Sequence, residues 1–440
     1  MKYYSTNGKA PIADLHKAVV KGLAEDRGLY MPEKINKLPK EFFDNIEKMS
    51  FQEIAYTVAS AFFGEDVDPD ALHDIVYDTL QFDCPVVNVK DNIYTLELFH
   101  GHTLAFKDVG ARFMARLLQY FIKQENNHKE VNVLVATSGD TGSAVANGFL
   151  GVDGIHVYVL YPKGKVSPIQ ECQFTTLGKN ITAIEVDGVF DDCQALVKNA
   201  FMDAELNEHM KLTSANSINV ARFLPQAFYY FNAYARMKEI ANTQHLSPNT
   251  QLVMCVPSGN FGNICAALFG HEMGLPIKRF IAANNANDIF YNYLQTGKYE
   301  PKPSKQTLAN AMDVGDPSNF ARIYDLYGKS HAKITSLISG ATYSDEQIKA
   351  TMRECYKDSG YILDPHGACG YQALKDGLQA GEVGVFCETA HPAKFKEKVD
   401  DILGIDVEIP ERLAAFMRGQ KQSVPMSKDF ADFKAFLMKQ

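Results

Sequence analysis

The sequence predicts an α/β protein with two open, mostly parallel sheets and a mostly helical N-terminal region. Three observations carry this. From about residue 130, short apolar runs (131–136, 157–160, 181–186, 252–256 and 383–387) alternate with helical stretches. That alternation marks parallel strands joined by crossover helices. Three of the runs end in turns rich in small or polar residues, where open parallel sheets hold their ligands. Before residue 95 the apolar residues recur at helical spacing instead. The division expected is 1–95 (helical), 96–245 (α/β) and 246–440 (α/β).

In the first stretch Phe51, Ile54, Ala55, Val58 and Phe62 share one helix face, as do Leu72, Ile75, Val76 and Leu80. No catalytic cluster is visible there, which suits a packing or lid element. Further on, Ser344-Asp345-Glu346-Gln347 has the form of a capping box and predicts a helix start.

Bulk properties narrow the function. A formal charge of −9 argues against a nucleic-acid partner. No apolar run reaches the length of a membrane span, and the first residues lack an apolar signal core. The eight cysteines are scattered without a CxxC pair. They read as small buried hydrophobes in a reducing cytoplasm, and neither a disulfide framework nor a metal site is expected.

Lys107 lies in the run Leu98-Phe99-His100-Gly101-His102-Thr103-Leu104-Ala105-Phe106-Lys107-Asp108. Leu98, Phe99, Leu104 and Phe106 surround it with apolar groups. A snorkelling helix lysine would account for the pattern. So would a desolvated amine that attacks a carbonyl, because burial disfavours the ammonium. Pyridoxal phosphate is the commonest partner of such a lysine.

The first turn is Thr137-Ser138-Gly139-Asp140-Thr141-Gly142-Ser143. Its hydroxyls and opening amides suit an anion such as a carboxylate, or simply a tight, well-capped turn. The second is Ser258-Gly259-Asn260-Phe261-Gly262-Asn263, which offers backbone N–H groups to a phosphate or makes a structural turn. Gly328-Lys329-Ser330 is no P-loop, since Ile323 stands at the first glycine position. The third places Thr389 at a strand end, before His391 and Pro392. His391 reads as structural, because no triad partner is visible by spacing.

Asn216, Asn219 and Arg222 would share a face if 214–222 were helical, and Ser217 lies among them. Arginine suits bidentate contact with a phosphate, although an ordinary surface residue fits the pattern equally. Asn284-Asn285-Ala286-Asn287-Asp288 and Asp364-Pro365-His366-Gly367 receive no role from pattern alone.

Taken in order, these motifs resemble the threonine synthase family, pyridoxal phosphate enzymes of the tryptophan-synthase-β fold group (fold type II). The runs Leu96 to Asp108, Ser138 to Gly142, Ser258 to Gly262 and Thr389 to Phe395 carry the resemblance. Lys21 to Ala24, Gly28 to Pro32, Ala309 to Val314 and Leu363 to Gly367 are similar to the family as well. One departure is His102, where the family's HGPT-type run has proline; a more mobile loop before Lys107 is expected.

The resemblance implies that pyridoxal 5'-phosphate lies between the two α/β domains. Lys107 would carry the Schiff base. Ser258, Gly259, Asn260, Phe261, Gly262 and Asn263 would hold the cofactor phosphate, and Thr389 would meet the pyridine nitrogen. Thr137, Ser138, Asp140 and Thr141 would bind the substrate carboxylate and the ring edge. Asn216, Ser217 and Arg222 would hold the phosphate of the substrate, O-phospho-L-homoserine. The implied product is L-threonine. A phospho-lyase or dehydratase of the same fold, ending in a 2-oxo acid, and a non-catalytic nucleotide-binding protein are the rivals. Monomer and homodimer both stay open.

Overall fold

A computed structural model describes residues 1–125, 129–244, 247 and 249–440. The chain forms two compact units. One comprises Met1, 31–101 and 223–408; the other comprises 2–30, 102–222 and 409–440.

This division corrects the three consecutive stretches expected, whose boundary at 245/246 falls outside the described residues. Long-range pairing is the reason. Strand Ile93–Glu97 lies beside Glu382–Glu388, with Gly384 opposite Ile93 and Glu388 opposite Glu97. Helix Phe51–Phe63 packs on Ala227–Gln244 of the same unit. Residues 409–440 belong with the sheet of residues 131–214.

The larger unit is built on a six-stranded sheet. Its order is Ile338–Thr342, Arg279–Asn284, Gln251–Pro257, Glu382–Glu388, Ile93–Glu97 and Val86–Lys90. All neighbours are parallel except the last pair, which is antiparallel with a register shift between Asn88 and Lys90. Glu382–Glu388 is buried along its whole length, as a central parallel strand must be. The expected helices are present. Ser50 caps Phe51–Phe63 through a capping box with Glu53, and Ile54, Ala55, Val58 and Phe62 are buried. Ser344 and Gln347 form the predicted box at Asp345–Ser359. Strands Val86–Lys90, Ile93–Glu97 and Ile338–Thr342 were not expected.

The second unit carries a five-stranded parallel sheet, ordered Val424–Met426, Ile181–Val186, Ile155–Pro162, Val131–Ala136 and Lys211–Ser214. Leu134, Leu160 and Ile184 contribute its core, joined by Met426, Phe433 and Leu437 from the chain end. The N-terminal region is not helical from its start: Lys2–Ser5 pairs antiparallel with Ala13–Asp14. No helix among the described residues is long and apolar enough to cross a membrane.

Candidate active site

Lys107 opens the helix Lys107–Gln124. The loop before it turns through a left-handed Leu104, with φ of 59°. Asp108, 1 % exposed, ties that loop down by accepting from Thr103 N at 2.9 Å and Thr103 Oγ1 at 2.6 Å. The loop at His102 is therefore anchored although the proline is missing. Lys107 is half-buried, and its Nζ donates to Thr141 Oγ1 at 2.7 Å. The Phe106 ring centre lies 5.5 Å from the same nitrogen.

Thr141 belongs to the turn that follows Val131–Ala136. Thr137 organises it: its buried Oγ1 accepts from Gly139 N at 2.9 Å and Gly142 N at 2.8 Å. Gly139 has φ of 146°, a conformation that disfavours other residues. A Cβ on Gly142 would lie 2.5 Å from Thr137 Cγ2 and 2.8 Å from Val159 Cγ1. Asp140 is buried and accepts from Gln170 Nε2 at 3.0 Å. Of the four residues singled out here, Thr137 and Asp140 brace the turn. Ser138 and Thr141 are the more exposed pair.

The segment 214–222 departs from the shared helical face expected. Only Val220–Phe223 is helical. The buried Asn219 holds the loop, donating to Val19 O at 2.9 Å and Ser214 O at 3.2 Å and accepting from Ala221 N at 3.0 Å. Arg222 is 2 % exposed, so it is no surface residue, and its Nη1 donates to Ala215 O at 3.2 Å. Gly110 allows this packing, because a Cβ there would lie 2.3 Å from Arg222 O. Asn216 and Ser217 remain half-buried.

In the other unit, Gln251–Pro257 runs into the 258–263 turn and then the helix Gly262–Glu272. Ser258 is buried; its N–H donates to Ala283 O, and Asn284 Nδ2 donates to Ser258 O, both at 2.9 Å. A Cβ on Gly259 would lie 2.7 Å from Met312 Cα, so 309–312 covers the turn closely. Phe261 sits left-handed, with φ of 65°, its ring 4.5 Å from that of Phe290. Asn263 Oδ1 accepts from Tyr229 and Tyr230 hydroxyls at 2.5 and 2.6 Å. Its buried Nδ2 has no partner among the described residues. An unmet buried donor costs about 1–3 kcal/mol. Such a donor, at a helix start whose first amides lack intrahelical acceptors, fits a phosphate monoester.

Thr389 follows the strand Glu382–Glu388 and is 7 % exposed. Beside it lies a buried carboxyl pair that the sequence left without a role. Glu388 Oε1 accepts from Asp364 N at 2.8 Å. Burial, reinforced by Asp364, holds Glu388 well above the usual carboxylate range. Asp364 accepts from Gly367 N at 2.7 Å and faces His366 Nδ1 at 2.5 Å; that imidazole holds it low despite burial. His366 Nε2 accepts from Ala311 N at 3.1 Å, which ties this pair to the segment covering Gly259. Gly367 is required here, since a Cβ would lie 1.9 Å from Glu388 Oε2. His391 caps the turn that follows: its Nδ1 accepts from Ala393 N at 3.0 Å, and burial pushes it down to about 4.

Comparison with known proteins gives the family. The family described as pyridoxal-phosphate dependent enzyme matches residues 82–387, flanked by threonine synthase N-terminal (2–80) and C-terminal (367–437) families. Threonine synthase of Serratia marcescens is 43% identical over 438 residues, covering 100% of this chain and 99% of the relative. The crystal structure of threonine synthase from Escherichia coli superposes with a TM-score of 0.91 at 43% identity, covering 100% of both chains. A pyridoxal-phosphate-bound threonine synthase from Brucella melitensis gives 0.91 at 33% identity, over 100% of this chain and 99% of that one. Fold, full-length identity and the three family matches agree, and the chain belongs to the threonine synthase family of pyridoxal phosphate enzymes.

Proposed function

We propose that the chain converts O-phospho-L-homoserine and water to L-threonine and phosphate. The observation that carries this reading is the 2.7 Å contact from Lys107 Nζ to Thr141 Oγ1, which ties the reactive amine to a glycine turn suited to a carboxylate. Pyridoxal phosphate supplies an electron sink for negative charge at the substrate α-carbon. The chain's residues do the rest.

The 258–263 turn holds the cofactor phosphate with its amides and Asn263 Nδ2, and Thr389 offers a neutral hydroxyl to the pyridine nitrogen. Ser138 and Thr141 hold the substrate carboxylate on the frame that Thr137 and Asp140 brace. Asn216, Ser217 and Arg222 take the substrate phosphate. With both ends fixed, the middle of the substrate stands within reach of one amine. Lys107 removes protons at Cα and Cβ, phosphate leaves from Cγ, and a proton returns to Cγ. Water then adds its hydroxyl at Cβ while Cα is reprotonated. One lysine can serve each transfer because the same amine accepts a proton at one carbon and returns it at another.

We place the protein in a reducing cytoplasm, which its eight free cysteines favour. The purified protein with O-phosphohomoserine should release threonine and phosphate in equal amounts. Release of 2-oxobutyrate and ammonia in place of threonine would overturn the reading in favour of a phospho-lyase.

A further inference from the structure

Arg322 lies in the helix Phe320–Leu326 and is fully buried. Its guanidinium carbon sits 4.0 Å from the centre of the Phe223 ring. Its Nη1 donates to Asn319 Oδ1 at 2.8 Å. A guanidinium offers donors only, so this bond sets which way the Asn319 amide faces. Its oxygen meets the arginine, and its nitrogen is left for another acceptor. That acceptor is the Asn260 carbonyl, 3.1 Å from Asn319 Nδ2 and 3.3 Å from Asn319 N. Asn260 is fixed from its side chain too, since Oδ1 accepts from Ser318 N at 2.7 Å.

The consequence lies one bond further on. A trans peptide carries its C=O and N–H on opposite sides, and no peptide bond among the described residues is cis. Holding the Asn260 carbonyl against Asn319 therefore turns the Phe261 N–H away from Asn319. Phe261 is the left-handed residue directly before the helix Gly262–Glu272.

We propose that Arg322 is a positioning residue for the cofactor phosphate: through Asn319 it locks the Asn260–Phe261 peptide, so that the Phe261 N–H joins the opening amides of the helix as a phosphate donor. The proposal rests on the reading of the 258–263 turn given above. It also leaves a cation one side chain away from a dianionic group, where opposite charge is favourable. Burial lowers this guanidinium only to about 9, so it stays charged at neutral pH.

Full-length apoenzyme should be titrated with pyridoxal phosphate and with pyridoxal, which lacks the phosphate, and the holoenzyme followed by phosphorus NMR. Arg322→Met should cut the preference for the phosphorylated form by about tenfold, the scale of a charge-assisted hydrogen bond. Pyridoxal affinity and the melting temperature of the apoenzyme should be unchanged, and the phosphorus resonance should move. Equal weakening of both ligands, or an unchanged preference, overturns the proposal. If Arg322→Met does not fold, Asn319→Leu keeps the cation and removes the relay, and the same ratio decides. A wild-type protein with no preference for the phosphorylated form would overturn the phosphate role of the turn itself, a separate and earlier failure.

Discussion

The two glycine turns, 137–142 and 258–263, both lead a buried parallel strand into a helix, yet they are braced from opposite directions. In the first, one hydroxyl inside the turn collects two of its own amides, two and five residues away, and a single distant side chain, Gln170, adds a bond to Asp140 from 30 residues off. In the second, the bracing comes from far along the chain. Asn284 grips Ser258 O from 26 residues away, Tyr229 grips Asn263 from 34, and Asn319 grips Asn260 from 59. A locally braced turn forms wherever its strand and helix form. A remotely braced turn exists only once its unit is assembled, and it can be adjusted by residues that never touch a ligand.

The largest effect is expected at the residue attached to the local turn. Lys107→Ala should lower turnover by about 10²–10⁴-fold or more, with little change in melting temperature. Borohydride reduction of the wild type should fix pyridoxal to Lys107. A main adduct on another lysine would refute the assignment and remove the functional half of the comparison.

Next come the two glycines. In Gly259→Ala the new methyl meets backbone, Met312 Cα at 2.7 Å and Ala311 O at 2.9 Å. In Gly142→Ala it meets side chains of Thr137 and Val159. Overpacking costs about 1–3 kcal/mol in either place. Gly259→Ala should show it as weakened cofactor binding in a spectroscopic titration, because 309–312 must lift. Gly142→Ala should show it in melting temperature, with cofactor affinity nearly kept. The reverse assignment would break the local-versus-remote contrast.

Thr137→Val tests the local brace alone. Two buried amides lose their acceptor, at about 1–3 kcal/mol, read in a denaturant titration. An unchanged midpoint would mean that strand and helix hold the turn unaided.

The smallest effect concerns pH. Glu388 has its folded-state pKa raised by burial, so it keeps its proton in the native protein while the unfolded chain gives its proton up. Its stabilising contribution is present below the unfolded value of about 4.5 and is lost as pH rises. Glu388→Gln imitates the protonated acid. It should melt close to the wild type near pH 4 and increasingly above it towards pH 7. A constant difference across that window would show that Glu388 ionises in the folded state.

The same contrast explains what could be read in advance. The strands at 131–136, 155–162, 181–186, 251–257 and 382–388 were legible because buried parallel strands are continuous apolar runs. Three of the strands missed, Val86–Lys90, Ile338–Thr342 and Lys211–Ser214, lie at sheet edges. There one side needs no partner, and Ser, Gly, Thr and Lys are tolerated. The 137–142 turn could be anticipated from its own residues, although the division of labour between Thr137 and Ser138 could not. Asn319, Asn284 and His366 were invisible as parts of a site because their partners there lie 26 to 59 residues off, and Arg322 reaches the turn only through Asn319. The one signal available was the spacing of Asn319 and Arg322, a helical i, i+3 pair.

The pairing of Val424–Met426 with Ile181–Val186 has a consequence for biosynthesis. The C-terminal strand and Phe430–Leu437 complete a sheet whose other strands leave the ribosome much earlier. At about 5–20 residues per second the edge of Ile181–Val186 waits roughly 12–48 s for its neighbour. During that interval a nascent chain presents an open strand edge beside uncovered Leu134, Leu160 and Ile184. Chaperone engagement should therefore be concentrated on chains stalled between these two strands, and premature termination near residue 420 should yield aggregates instead of a shortened enzyme.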